Sequence, residues 1–429
     1  MLMEPQFQNI LSDHFTLYPL LVSPLIWIFG TYTMLIFQIA AIIFGGLGIL
    51  KLLKLKFGET SWIPFAGVIH FFAFYGIYSA LAFDYHDNVI ATMFVPWLFY
   101  FFEKKNYRLF YLFLILILIG KENMALWGFF IALGLMLLNI SDRQKLKHSA
   151  IASIICLVYF VLIVSVVIPS LANENRQYLH FKYDALGKNF SEALLFIIKH
   201  PQRTFSYLFE NHSQAYNGFF VKSETYYLLL VSGGFALILR PQFIIMLLPI
   251  LGQKMFNDDV TKWGINSHYS VEFAPIITIA LFLWIYSLNV SAKKKPVIAF
   301  SFTMLIILAT ISALDRRVSP YYDIANAKFY DTRHWKAKMD VKELYTALDL
   351  IPADAKLSAQ SPLVPHLALR QYIYLYPHVT DADYIILLDI GDYYPAGDIL
   401  YFEKLKQLKN SEQWELIYDK NFTMIFKKR

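Results

Sequence analysis

The 429-residue chain is poor in charge and in cysteine. Charged residues make up 16% of it, whereas soluble domains usually carry about 25%. Hydrophobic residues make up 57% and the mean hydropathy is +0.45. This composition excludes an ordinary cytosolic enzyme and indicates a membrane protein. The single cysteine, Cys156, cannot form an intrachain disulfide and lies in an apolar run, where it is expected to pack as a small hydrophobic residue.

Common catalytic motifs are also missing from the sequence. It has no P-loop, no dinucleotide fingerprint, no zinc signature and no serine-hydrolase elbow. Its long apolar runs contain almost no ionisable residues. Because proton-coupled transporters and ion pumps usually carry such residues inside their spans, this scarcity argues against a transporter. Polar residues gather instead at the ends of the apolar runs, where a site facing one membrane surface would be built.

Charge is distributed unevenly along the chain. Residues 314–429 hold 16 basic and 16 acidic residues, whereas residues 1–313 hold 22 basic and 16 acidic residues in a much longer stretch. The sequence therefore predicts an α-helical multi-pass membrane domain over 31–313, followed by a small soluble α/β domain over 314–429. About ten apolar spans are predicted, at 31–53, 60–82, 88–102, 108–120, 122–140, 149–170, 223–239, 241–252, 270–290 and 296–313. Several are shorter than the roughly 20 residues that cross a bilayer, so they are expected to be tilted, extended or re-entrant.

Basic residues in alternate loops predict the orientation. One set of loops carries 13 Lys and Arg, whereas the short loops between them carry three, Lys121, Lys254 and Lys262. The positive-inside rule places the first set in the cytoplasm. The large loop 171–222, the tail 314–429 and the N-terminal segment 1–30 are then extracytoplasmic, on the outer face of the cytoplasmic membrane. Residues 17–30 contain two prolines and are predicted to form an interfacial helix, and a further span is expected ahead of Met1.

The tail shows the pattern of a small α/β fold. Strands are predicted at 356–359, 372–376 and 384–389, a helix at 400–408, and a closing hairpin formed by 414–418 and 423–427.

The densest polar cluster is Phe83-Asp84-Tyr85-His86-Asp87-Asn88, between two predicted spans. Two carboxylates and an imidazole within four residues are typical of a general base or of a divalent-cation site formed by Asp84, His86 and Asp87. The alternative is that Asp87 or Asn88 caps the next helix while the other residues are solvated.

A second cluster, Gly120-Lys121-Glu122-Asn123, begins another span. Lys121 breaks the positive-inside pattern, so we expect it to bind a phosphate while Glu122 orients a hydroxyl. The alternative is a helix start at which Glu122 is favoured by the helix dipole and Lys121 extends towards water.

Further candidates are weaker. Asp13 and His14 precede the interfacial segment, His268 and Tyr269 precede the span 270–290, and Arg176 lies in the large loop. Each is a candidate for substrate binding, against the alternatives of a helix cap or an ordinary interfacial side chain.

Several of these segments together resemble one family. They are Asp13-His14-Phe15, FDYHDN, GKEN, Tyr183 with Gly187 and His200-Pro201, SHYS, and the tail phrases IPADAKLSAQSPLVPHLALRQYIYLYP and ADYIILLD. In this order they resemble the family called domain of unknown function 2079, and the resemblance covers nearly the whole chain.

The resemblance implies a fold and a function. That family is grouped with the GT-C-type membrane glycosyltransferases, which have many spans, an acidic residue in the first outer loop, a polyprenyl-phosphate sugar donor and often a soluble outer C-terminal domain. The usual first-loop carboxylate is not visible in this chain unless Asp13 replaces it.

The expected function is therefore transfer of a sugar to an envelope glycan or lipid acceptor at the outer leaflet, with no nucleic-acid partner. Asp84 is the first candidate base, followed by Asp87 and Glu122, and His86 shares the role or binds a metal. The donor phosphate is expected near Lys121 or Arg176. A lipid or glycan transporter and a non-catalytic membrane scaffold remain the alternatives.

Overall fold

The computed structural model describes residues 9–172, 181–215, 218–315, 330–391 and 393–429. Its first part is a bundle of apolar helices. These are α1 (Thr33–Phe57), α2 (Ile63–Phe72), α3 (Tyr75–Leu81), α4 (Asp87–Glu103), α5 (Tyr107–Leu118), α6 (Glu122–Leu138), α7 (Arg143–Leu162), α8 (Phe190–Lys199), α9 (Pro201–Tyr207), α10 (Val221–Leu229), α11 (Gln242–Met255), α12 (Phe273–Ser287) and α13 (Lys294–Asp315). Each of the ten predicted apolar runs is thus mainly helical.

Three helical stretches in the described residues are long and apolar enough to cross a membrane. They are Tyr18–Phe57, Arg143–Ser170 and Lys294–Leu314, and α2 with α3 makes a fourth if this bent pair is one span. The other apolar helices are shorter than 18 residues. The chain therefore has transmembrane helices, while the count of ten crossings stays a prediction.

Two predicted spans are interrupted. The run 60–82 forms α2 and α3, which meet at 46° because Phe74 adopts an extended backbone between them. The run 223–239 changes from α10 to a π-helical turn, Leu230–Gly234, in which Gly233 has φ 94°. A left-handed backbone of this kind favours glycine and bends the helix.

The N-terminal segment is also helical but broken. Short turns at Tyr18–Val22, Ser23–Leu25 and Ile26–Phe29 precede Gly30, and Trp27 is 94% exposed. The exposed apolar face is compatible with the predicted interfacial helix, whose position in a membrane remains a prediction.

Ion pairs join the basic loops at one end of the bundle. Glu103, at the end of α4, accepts hydrogen bonds from Lys56 of α1 and from Lys145 of α7, the latter over 2.9 Å. Lys105 lies 2.8 Å from Asp142. Three of the five predicted cytoplasmic loops therefore meet through shared carboxylates.

The C-terminal part contains a five-stranded sheet of order β2-β1-β3-β5-β4. The strands are β1 (Leu357–Ala359), β2 (Ile373–Leu375), β3 (Tyr384–Leu388), β4 (Trp414–Lys420) and β5 (Thr423–Lys428), with helices α14 (Val341–Leu348) and α15 (Gly397–Lys409). β1 is parallel to both β2 and β3, whereas β5 is antiparallel to β3 and to β4. The predicted strands, helix and hairpin are confirmed; α14 was not predicted.

Helices cover both faces of this sheet. On one face, Leu344 and Ala347 of α14 pack with Ile386. On the other face, Tyr401 and Leu408 of α15 pack with Ile385 and Leu387. Alternate residues of β3 thus face two separate cores, which explains why its five residues are all buried.

A polar contact joins the sheet domain to the N-terminal segment. The Tyr345 hydroxyl of α14 lies 3.3 Å from the Tyr32 hydroxyl and 2.9 Å from Nδ1 of His366. Tyr32 immediately precedes α1, so the sheet domain lies at the end of the bundle where α1 begins.

Candidate functional site

Several helices begin close together at the end of the bundle opposite Glu103. α4 begins at Asp87, α6 at Glu122 and α12 at Phe273. A backbone hydrogen bond of 2.9 Å from Leu17 N–H to the Ile119 carbonyl holds the N-terminal segment against the start of α6. Segments far apart in the sequence therefore supply side chains to one place, which we call the helix-end cluster (His14, His86, Asp87, Lys121, Glu122 and His268).

His14 and Glu122 form the first pair of this cluster. Nδ1 of His14 lies 2.9 Å from Oε1 of Glu122, and the Phe15 N–H donates to Oε2 over 3.1 Å. Glu122 is only 5% exposed. A buried carboxylate that fixes one nitrogen of an imidazole orients the ring and sets its tautomer, which is the arrangement of a histidine used in proton transfer.

Asp87 is held by two hydroxyl groups. Oδ1 accepts hydrogen bonds from Thr16 over 2.8 Å and from Tyr85 over 2.5 Å. Burial raises the pKa of Asp87, although these bonds and the nearby Lys121 act in the opposite direction. A carboxylate with a raised pKa is closer to the pH range in which it can both take and release a proton.

His86 and His268 stack on each other. Their ring centroids lie 3.6 Å apart with the planes at 22°, and Phe83 stacks on His86 at 5.1 Å. The backbone N–H of His86 donates to Oε1 of Gln38 over 2.9 Å. Burial lowers the pKa of both histidines, that of His268 well below its usual value. Both rings are therefore neutral near pH 7.

Lys121 is the one lysine of the cluster. It precedes α6 in an extended backbone conformation and is half-buried. Its charge lowers the pKa of His86, of Asp87 and of His268, which places the ammonium within electrostatic range of all three. A lysine among a carboxylate and neutral imidazoles can bind an anionic group while leaving the carboxylate to accept a proton.

A buried polar pair lies beside the cluster. Asn88 Nδ2 donates to Oε1 of Glu272 over 2.7 Å, and both residues are at most 4% exposed. Within the described residues, Asn88 Oδ1 and Glu272 Oε2 have no hydrogen-bond partner. Two buried acceptors without a donor retain the capacity to bind water or a substrate hydroxyl.

Lys254 holds the loop that carries His268. Its buried ammonium donates to the carbonyls of Lys262, over 2.7 Å, of Gly264, and of Tyr269, over 3.3 Å. The Tyr269 ring lies 4.2 Å from that of His268. The position of His268 thus depends on a lysine at the end of α11.

The remaining predicted residues lie near the cluster or outside the described part of the chain. Asp84 is exposed, and its backbone carbonyl lies 3.1 Å from Nδ1 of His86. Asp13 is half-buried directly before His14. Arg176 lies outside the described residues.

The geometry does not favour the predicted divalent-cation site. Nδ1 of His86 faces a backbone carbonyl, and the Asp87 carboxylate is engaged by hydroxyl groups. In the described residues, no three His, Cys, Asp or Glu side chains are arranged to hold a metal ion.

Sequence reasoning missed several residues that support the cluster. Gln38 is 2% exposed in the second turn of α1, where its Oε1 accepts a hydrogen bond from the His86 backbone N–H, and Thr16 donates to Asp87. The sequence signal that could have identified Gln38 is that it is a single amide side chain within an apolar run. Nothing in the sequence marks Thr16 as a partner of a residue 71 positions away.

Gly76 of α3 touches the loop before α12. A Cβ at Gly76 would lie 2.3 Å from the Ser270 carbonyl oxygen, and backbone cannot rotate away as a side chain can. We expect Gly76→Ala to displace Ser270 and to destabilise the fold by about 1–3 kcal/mol. The measurement is the apparent Tm together with hydrogen exchange of 266–272.

Gly252→Ala is the matched control. A Cβ there would meet its nearest atom, in Phe256, at 3.7 Å, an ordinary contact within a helix. Alanine is also the better helix former, so this variant should be neutral or slightly stabilising. Equal Tm values for the two variants would contradict the close approach at Gly76.

The apolar helices, followed by a small C-terminal sheet, are those of a membrane protein. The family model described as "Predicted membrane protein (DUF2079)" matches residues 2–419. The chain therefore belongs to the domain of unknown function 2079 family. No curated protein and no solved structure gives a significant match to the chain.

Proposed function

We propose that the chain is an integral membrane glycosyltransferase that moves a sugar from a polyprenyl-phosphate donor to an envelope acceptor at the outer face of the cytoplasmic membrane. The observation that supports it is the helix-end cluster, in which carboxylates, neutral imidazoles and one lysine converge at one end of an apolar bundle. Such a site can bind an anionic lipid head group from the membrane and the hydroxyl group of an acceptor from the aqueous side.

The reaction requires one bond to form and one to break. The acceptor hydroxyl oxygen attacks the anomeric carbon of the donor, and the bond from that carbon to the phosphate oxygen breaks. Lys121 stabilises the charge on the departing polyprenyl phosphate. The hydroxyl proton passes to a carboxylate, for which Asp87 is the better supported by its contacts and Asp84 is the alternative.

The other cluster residues position the two substrates. His14, oriented by Glu122, is half-exposed and can bond to a sugar hydroxyl. His268 is buried and stacks on His86, and the half-buried Tyr269 ring, 4.2 Å from that of His268, is the candidate ring face for a sugar. Asp13, next to His14, is the candidate that replaces the first-loop acid of related enzymes.

A direct transfer assay tests this proposal. The purified chain is placed in proteoliposomes with polyprenyl-phosphate sugars of several kinds, each radiolabelled, and with an envelope fraction as acceptor. We expect time-dependent movement of label from the lipid donor into a non-lipid product or a second lipid. Failure of every donor to yield product would contradict glycosyl transfer.

One observation supports transport as a second candidate function. Glu272 is a buried carboxylate directly before α12, and carboxylates within membrane domains often serve transport. Label that crosses the bilayer of the same proteoliposomes without a change of carrier would identify a transporter.

The orientation behind this proposal has its own prediction. The 13-to-three asymmetry of basic residues between the two sets of short loops predicts that loop 171–222 and the tail lie outside the cytoplasm. Fusions of alkaline phosphatase at Asn189 and at Lys356 should therefore be active, whereas fluorescent-protein fusions there should be dark. A fusion within Lys293–Lys295 is the control and should show the reverse. Cytoplasmic reporter activity at both test positions would overturn the orientation.

A further inference from the structure

The carboxyl ends of β1, β2 and β3 meet at one edge of the sheet domain because these strands are parallel. After β1 the chain turns to the face that carries α14, where Leu363 packs. After β3 it turns to the opposite face, where α15 packs. Neighbouring parallel strands whose continuations diverge leave a crevice between them, and ligands bind there in many α/β folds.

Polar groups occupy this edge at the first position after each strand. Gln360 follows β1 and accepts a hydrogen bond from the Leu388 N–H over 2.7 Å. Asp389 follows β3, is exposed, and accepts one from the Tyr393 hydroxyl over 2.7 Å. Tyr376 follows β2 and is 3% exposed, and in the described part of the chain its hydroxyl has no hydrogen-bond partner.

Aromatic rings lie beside these polar groups. Tyr393 stacks on Tyr401 with centroids 4.2 Å apart, and Phe402 contacts Tyr393 at 5.2 Å. Tyr394 and Phe402 are 67% and 48% exposed. The packing with Tyr401 fixes Tyr393, while the exposed rings present apolar faces to solvent.

We propose that this edge, with Asp389 and Tyr393 at its centre, binds a neutral carbohydrate. An aromatic face packs against the C–H groups of a sugar ring, and an acceptor-only carboxylate receives two of its hydroxyl donors. Asp389, with Asp398 in the first turn of α15, disfavours a phosphate or a uronic acid. The proposal deepens the proposed function, on which it rests, by making this edge the place where a glycan acceptor is held.

Glycan binding by the full-length chain tests the edge. The chain in nanodiscs is measured against a panel of immobilised hexose, N-acetylhexosamine, deoxyhexose and uronic-acid oligosaccharides. We expect binding to at least one neutral member, weakened tenfold or more by Asp389→Asn and by Tyr393→Ala. Tyr372→Ala is the control, because this exposed tyrosine precedes β2 and lies at the opposite edge. Its binding should equal that of the wild type.

The outcomes separate this proposal from the proposed function. If the wild type binds no panel member, or if binding is unchanged in both edge variants, the proposal that this edge binds a carbohydrate is wrong. If Tyr393→Ala does not fold, Asp389→Asn alone decides, since it changes one exposed carboxylate. If the wild type binds glycan but transfers no sugar, only the proposed transferase activity is contradicted. If sugar transfer is the same in the wild type and in both edge variants, only the proposal that this edge holds the acceptor is contradicted.

Discussion

Asp87→Asn should reduce sugar transfer by about 10²–10⁴-fold while leaving the protein at normal levels in the membrane. The amide keeps the size of the carboxylate and can still accept from Thr16 and Tyr85 through its oxygen. It cannot take a proton from the acceptor. Positioned acid–base groups usually contribute this range, roughly 3–5 kcal/mol of barrier. The measurement is the initial rate of label transfer from the polyprenyl-phosphate donor.

Asp84→Asn and Asp259→Asn complete the experiment. Asp84 is the base that the sequence alone ranks first, so a loss of the same size in Asp84→Asn with a near-normal rate in Asp87→Asn would move the role to Asp84. Asp259 accepts from the Thr261 N–H over 3.0 Å in a neighbouring turn, and asparagine caps turns equally well. Its variant should transfer normally. Wild-type rates in both Asp84→Asn and Asp87→Asn would exclude this loop as the source of the base.

Glu122→Gln tests the role of the His14–Glu122 pair separately. Glutamine keeps a hydrogen bond to the Phe15 N–H but removes the charge that orients His14. A rise in KM for the acceptor would assign the pair to binding, and a fall in kcat alone would assign it to proton transfer.

The sheet domain shows which parts of the fold were visible in the sequence. YIILLD and the hairpin around Asp419-Lys420-Asn421 carry local patterns, and β3, β4 and β5 lie where those patterns place them. The order of the strands in the sheet has no such local pattern, because it depends on which apolar faces pack together in the folded chain. The insertion of β1 between β2 and β3 left no local signature, and neither did the meeting of their carboxyl ends at one edge.

The candidate site was predictable as a list of segments but not as an arrangement. Asp87, Glu122 and His268 stand out because each is a polar residue at the end of an apolar run. Their neighbours are set by tertiary contacts: His14 is 108 positions from Glu122, and Asn88 is 184 from Glu272. Periodicity within a helix carries no information over such separations.

Removal of the Lys254 ammonium should be among the most destabilising single changes at this end of the bundle. Lys254 is 3% exposed and donates to three carbonyl groups of the segment 262–269. Lys254→Met keeps the apolar stem and removes the donor to the Lys262 and Tyr269 carbonyls, while the Gly264 carbonyl keeps a hydrogen bond of 3.3 Å from the Ser270 hydroxyl. Each unsatisfied group costs about 1–3 kcal/mol, offset in part because a buried charge is no longer desolvated. We expect a net loss on the order of 3 kcal/mol.

Two measurements separate this effect from a general loss of packing. The apparent Tm in nanodiscs should fall, and hydrogen exchange should rise first in 262–270, because those amides lose their anchor. Lys262→Met is the matched control: that lysine is half-buried in the same loop, with its ammonium 5.6 Å from the Tyr269 ring centroid. It should lower the Tm far less. If exchange in 262–270 is unchanged in Lys254→Met, the loop is held by other contacts. His268 is then positioned by its stacking on His86 and not by the end of α11.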